Sequence, residues 1–126
     1  MKPGDALPEL TRHVTPDLMM AYGAATWDWH RMHYDQAYAR DIGLPDPVLD
    51  GQSYGAFFAM QAMDWAGPRG FVKRLDFQMR AMVFPDDTFV VTGAVESVAD
   101  GIATLRQELK VGDRLCSTAT TTVRLG

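Results

Sequence analysis

Beyond Phe71 the chain alternates apolar and polar residues. FVKRLDFQMRAMVF (71–84), DTFVVTGAVESVAD (87–100), GIATLRQELKVGD (101–113) and RLCSTATTTVRL (114–125) repeat at a period of two and are rich in β-branched and aromatic side chains, which predicts four long strands. Pro85-Asp86-Asp87, Asp100-Gly101 and Gly112-Asp113 punctuate them, and an Asp-Gly pair between alternating runs signals a tight hairpin. Ahead of the strands the pattern is different. GQSYGAFFAMQAMDWAG (51–67) is apolar on nearly all sides, with only Gln52, Ser53, Gln61 and Asp64 as relief, and its alanines and methionines predict a buried helix closed by Gly67-Pro68.

Upstream, Thr15-Pro16-Asp17 is a helix start, with a capping hydroxyl, a proline at the first helical position and an acid near the positive end of the helix dipole. It predicts a first helix to about Ala25. Asp35 and Gly43 bracket a second, short helix, and LPDPVLDG (44–51) reads as an extended proline-bearing loop. PELTRHV (8–14) is a candidate fifth strand, its proline placing it at a sheet edge. An antiparallel sheet has one face to bury and the most apolar helix is available to cover it. The expected architecture is therefore α+β, a curved antiparallel sheet wrapped around a long central helix, as a single domain over residues 1–126.

Composition narrows the function. With 47% hydrophobic and 22% charged residues the chain matches soluble globular proteins, and a net charge of -4 with scattered Lys and Arg argues against nucleic acid as a partner. No window reaches the ~18 apolar residues of a membrane span. One cysteine, Cys116, permits no internal disulfide and no cysteine zinc site; it reads as a small buried hydrophobe. MKPGDALPEL has a proline and acids where a secretory leader needs an apolar run, so a cytoplasmic location is expected.

The chemistry concentrates in WDWHRMHYD (27–35), which holds two of the three histidines between acidic residues. Asp28 and His33 lie five residues apart, too far for one helical turn, so acting together requires a bent loop. An imidazole titrating near neutral pH beside a carboxylate can take the proton of a water they share. A structural hydrogen bond within the loop is the alternative on spacing alone. His30 would point the other way if the segment is extended, as an interface or surface residue. Trp27 and Trp29 are expected to pack against the sheet and Asp35 to cap a helix. Arg69, Lys73 and Arg74 could meet phosphates but at a strand start read as solvated.

Asp28 followed by His33, then an aromatic, Asp35, AYARDIG, the proline-bearing loop and Gly51 opening a long apolar helix together resemble the MaoC-like hydratases, which include the (R)-specific enoyl-CoA hydratases. FPDDTFVVTGAVESV (84–98) resembles that family's strand pair, so the resemblance spans about Ala24 to Val98. DWAGP (64–68) is similar to the small MaoC-like subunits of steroid-degrading hydratases. The resemblance implies a hot dog fold and hydration of a trans-2-enoyl-CoA to a 3-hydroxyacyl-CoA. It assigns Asp28 and His33 as catalytic residues, and Gly51, with Gln52, Ser53 and Tyr54 after it, to substrate binding at the helix start. It implies an acyl-CoA thioester as substrate, no metal or other cofactor, and a homodimer or a heteromer with another hot dog subunit. A hot dog acyl-CoA thioesterase, or a non-catalytic subunit completing a partner's site, stays open. The usual D-x-N-P-x-H motif is altered here to His30 and Arg31, and the usual His-Gly before the helix is Asp50-Gly51.

Overall fold

The computed structural model describes residues 1–126. Its elements run β1 (Leu10–His13), α1 (Pro16–Thr26), a 3-10 turn (Arg31–His33), α2 (Gln36–Asp41), α3 (Gln52–Ala66), β2 (Phe71–Met79), β3 (Thr88–Ala99), β4 (Ile102–Val111) and β5 (Arg114–Arg124). Thr15 caps α1 by accepting from the Leu18 N–H, Pro16 follows it, and Asp35 caps α2 by accepting from Tyr38 N–H. All five strands form one antiparallel sheet in the order β1-β3-β4-β5-β2, with β1 at an edge as its proline demands. The expected curved sheet over a helix, the hot dog arrangement, is present.

Two connections differ in kind. Ala99 pairs with Ile102 across Asp100-Gly101, both at positive φ, which is the tight turn that matches strand twist. Pro85-Asp86-Asp87 is no hairpin, because β2 pairs with β5 rather than with β3 and the chain crosses from one sheet edge to the other side. Alternation alone cannot reveal this, since a strand reads the same whichever neighbour it takes.

α3 lies on the inner face of the sheet. Tyr54, Phe57, Phe58, Gln61 and Ala62 are buried at helical spacing, whereas Ala56, Met63 and Asp64 are exposed, so the helix is sunk on one side only and not all round. Contact is close: a Cβ at Gly55 would lie 2.7 Å from the Phe77 ring, so glycine sets how near the helix approaches β2. Phe58 and Phe89 are fully buried in a cluster with Val14, Leu49, Val91 and Leu109. Cys116 is buried there too, as expected of a small hydrophobe.

Within this apolar contact sits a polar network. Gln107 Nε2, on β4, donates to the Phe58 carbonyl at 2.9 Å and to Gln61 Oε1 at 3.0 Å. Thr121 on β5 donates to Gln107 Oε1 at 2.6 Å. Gln61 Nε2 in turn donates to Pro8 O and Val91 O, both at 2.9 Å. The helix is thus bonded to β3, β4, β5 and the N-terminal segment. Gln107→Leu, which strands the Thr121 hydroxyl and Gln61 Oε1 in the core, is expected to cost about 2–4 kcal/mol in urea unfolding, more than the ~1 kcal/mol of Thr121→Val.

Candidate active site

The site forms where the loop after α1, the 3-10 turn and the start of α3 meet. Trp27 takes the left-handed conformation that ends α1, and the chain then turns so that the partly exposed Asp28 carboxylate faces His33. Trp27 is 80% exposed and stands edge-on to the half-covered Trp29, so the two tryptophans do not pack against the sheet. The left-handed turn aims Trp27 away from it. Arg31–His33 coil into a 3-10 turn instead of an extended segment. With three residues per turn, His30 and His33 fall on the same side, their rings 6.1 Å apart, so His30 does not point oppositely, but it is exposed, as expected of a surface residue. His30 Nδ1 accepts the Met32 N–H at 3.1 Å and its ring meets Tyr38, a capping role. Arg31 pairs with Asp35 at 2.9 Å and covers the Tyr38 ring.

His33 is held from behind. Its Nδ1 lies 2.8 Å from the Val48 carbonyl, and since a carbonyl only accepts, Nδ1 carries the hydrogen and Nε2 of the neutral ring is left with a lone pair. Nε2 is 3.9 Å from Asp28 Oδ2 and 3.7 Å from Asp50 Oδ2. Both distances exceed a direct hydrogen bond and suit a bridging water. Thus the bent loop does bring Asp28 and His33 together, and it adds Asp50, which the sequence marked only as a departure before the helix.

Asp50 is 8% exposed. Its Oδ1 accepts the Gln52 N–H at 3.0 Å at the start of α3, while its Oδ2 is buried with no hydrogen-bond partner. Burial, then the neighbouring Asp28, push the Asp50 carboxyl above the usual carboxylate range. Asp28 moves the opposite way, held low chiefly by hydrogen bonding with Asp50. Two facing carboxyls thus push each other's affinity for protons in opposite directions. The ligand-type atoms of Asp28, His33 and Asp50 lie within 4.8 Å of one another, close enough for proton sharing or to hold a cation.

Beside the pair opens a pocket of about 490 Å³, lined largely by apolar side chains and including His33, Gly51, Tyr54, Met79, Arg80 and Met82. Met79 lies directly against Gly51, where any Cβ would collide with its sulfur. Of the four residues expected to bind substrate, Gly51 and Tyr54 line the pocket, Tyr54 with its hydroxyl on Ala81 O at 2.9 Å. Gln52 is exposed outside the lining, and Ser53 is fully buried, its hydroxyl donating to Asp50 O at 2.6 Å. The helical twist carries these two away from the pocket. Arg69, Lys73 and Arg74 are exposed, with Arg74 paired to Asp76. Arg80 at the pocket edge was not anticipated, because nothing in an alternating strand marks which end meets a helix start.

The MaoC-like domain family matches residues 2–114 of this chain. The chain belongs to that family. The beta subunit of the 3-oxo-4,17-pregnadiene-20-carboxyl-CoA hydratase of Mycobacterium tuberculosis is 26% identical over 96% of this MaoC-like chain and 95% of its own length. One chain of the ChsH1-ChsH2 complex from Mycobacterium tuberculosis superposes with a TM-score of 0.94 at 25% identity, over 98% of this chain and 98% of its own length. The (R)-hydratase from A. caviae involved in PHA biosynthesis gives a TM-score of 0.92 at 20% identity over 100% of this chain and 98% of its own, a likeness of fold. The family match reaches well beyond the Ala24–Val98 stretch that carried the resemblance.

The raised affinity of Asp50 for its proton has a thermodynamic consequence for this MaoC-like protein. Between the unfolded and the folded pKa the native state binds more protons, so stability falls as pH rises through that window and the cost is fully present above it. Asp50→Asn keeps the acceptor for the Gln52 N–H and removes the cost. The variant is expected to melt a few degrees above the parent near neutral pH, with the difference shrinking toward zero as pH falls toward the ordinary carboxylate range, checked by melting curves across pH.

Proposed function

We propose that the chain is a hydratase subunit that adds water reversibly across the double bond of a trans-2-enoyl-CoA to give a 3-hydroxyacyl-CoA. The observation that carries this reading is His33, fixed through Nδ1 on the Val48 carbonyl and presenting Nε2 beside Asp28 at the mouth of an apolar pocket that also contains Gly51. In the proposed step, a water held by Asp28 gives its proton to His33 Nε2 as its oxygen bonds to the β-carbon. The electron pair of the double bond moves onto the thioester oxygen, where the Gly51 N–H at the start of α3 would meet the enolate charge, aided by the helix dipole. The proton on His33 returns to the α-carbon by way of Asp28, which restores both groups. Atoms balance with water alone, and no electrons leave the substrate.

The methionine-rich lining suits a large apolar acyl group, since thioether side chains adapt to irregular shapes. The name of the mycobacterial relative, a steroid-type CoA hydratase, supports the same choice. The chain is further proposed to be one domain acting in the cytoplasm beside a second hot dog subunit, its own copy or another chain. β2 forms a sheet edge with Phe71 and Met79 exposed, where a second sheet could continue the first. The ChsH1-ChsH2 neighbour is itself a complex, which favours the reading that activity needs a different partner chain. The thioesterase alternative is disfavoured: Asp64, the one acid within α3, is exposed and about 18 Å along the helix axis from its first residue.

Loss of enoyl-thioester absorbance on short, long and steroid-like enoyl-CoA substrates tests the reaction, with free-thiol release as the sign of a thioesterase. Asp28→Asn and His33→Ala are each expected to lower kcat by about 100-fold or more without shifting the unfolding midpoint downward, and His30→Ala by less than about tenfold. Equal damage from His30→Ala and His33→Ala would make His30 the base.

A further inference from the structure

The buried Oδ2 of Asp50 is the one polar side-chain atom in the chain left inside the protein without a partner. An orphaned buried oxygen costs stability, and here its neighbours are worse than neutral, since the Asp28 carboxylate and the lone pair of His33 Nε2 both face it. No donor of the chain reaches it. A proton carried by Asp50 itself and directed at Asp28 removes the clash between the two carboxyls and gives the orphaned oxygen a partner.

Resting on the hydratase reading above, we propose that Asp50 is a positioning residue: as a neutral acid it donates to Asp28 with one oxygen, accepts the Gln52 N–H with the other, and so locks the Asp28 carboxylate to the start of α3. Asp50 is not among the residues lining the pocket, so it acts through Asp28 and His33 rather than on substrate. The arrangement has three consequences. Asp28 keeps its charge for the attacking water. His33 Nε2 has a single anion beside it instead of two. The Gly51 amide, between Asp50 and Gln52, is held in fixed relation to the acid-base pair by the same side chain.

The titratable groups around the two carboxyls are His33 from the 3-10 turn, His30 beside Asp28 in the loop after α1, and Tyr22 from α1, whose phenol is raised chiefly by burial. When the shared proton is lost as pH rises, two adjacent carboxylates repel and the geometry of Asp28 is released. Activity should therefore decline on the alkaline side for a reason that Asp50→Asn removes, because the amide donates to Asp28 and accepts from Gln52 without ever ionising.

Two readouts on the full chain separate this inference from the hydratase reading. Infrared spectroscopy near neutral pH needs no turnover: a protonated-carboxyl stretching band is expected in the parent and absent in Asp50→Asn. A parent without that band overturns the inference whatever the reaction is. In enoyl-CoA hydration, Asp50→Asn should hold kcat within about threefold and lose the alkaline limb of kcat/KM, while Asp50→Ala should lower kcat by about 10- to 100-fold. An unchanged alkaline limb in Asp50→Asn overturns it, since the limb would then belong to another group; a loss of kcat in Asp50→Asn equal to that in Asp50→Ala also overturns it and would make Asp50 a proton-transfer group. Activity abolished by a chelator and restored by a divalent cation would also overturn it.

Discussion

Two glutamines buried between helix and sheet fix the geometry on which everything else depends. Apolar contact alone would let α3 slide or roll on the curved sheet, because hydrophobic burial has no direction. Gln107 and Gln61 remove that freedom: each spends its amide on named carbonyls and oxygens of the helix, three strands and the N-terminal segment. A register error of one residue would leave several of these groups unpaired in the core, at ~1–3 kcal/mol each. Gly55 against Phe77 then sets the depth of the helix.

A helix fixed in this way presents its N-terminus at a defined point, and the reactive side chains are assembled against it. Val48 reaches back to His33, with its carbonyl on Nδ1 and its own N–H on the Met32 carbonyl, so the proline-bearing loop and the 3-10 turn hold each other. Asp50 ties the same loop to the first amide of α3. The result is an imidazole, two carboxyls and a free helix end within one small volume beside an apolar pocket. Such a convergence carries a cost, the unpaired Asp50 oxygen, of the kind often found where function rather than stability has set the residue.

Membership in the MaoC-like family accounts for the fold and for the hydratase chemistry as a class. It does not by itself account for Asp50. The resemblance implies a histidine there, and an aspartate in its place leaves the site with two carboxyls and one imidazole instead of one carboxyl and two imidazoles. Arg31, by contrast, has a local explanation: it pairs with the Asp35 cap and covers Tyr38, stabilising the turn that a proline would otherwise stiffen.

The sequence determined what depends on local spacing. Strand alternation from Phe71 onward, the proline and capping residues of α1, the Asp-Gly hairpin and the apolar run of α3 each follow from one or two turns of chain, where side-chain size and backbone preference decide the outcome. The Asp28–His33 pair was legible because its members are near in sequence and crowded with unusual residue types. Only the tertiary structure decided that β2 crosses to β5, that the exposed His30 ring stands beside His33, and that Asp50 and Val48 close the site. Those outcomes depend on which distant segments exclude water from one another, and a period of two or of 3.6 carries no record of its eventual neighbour.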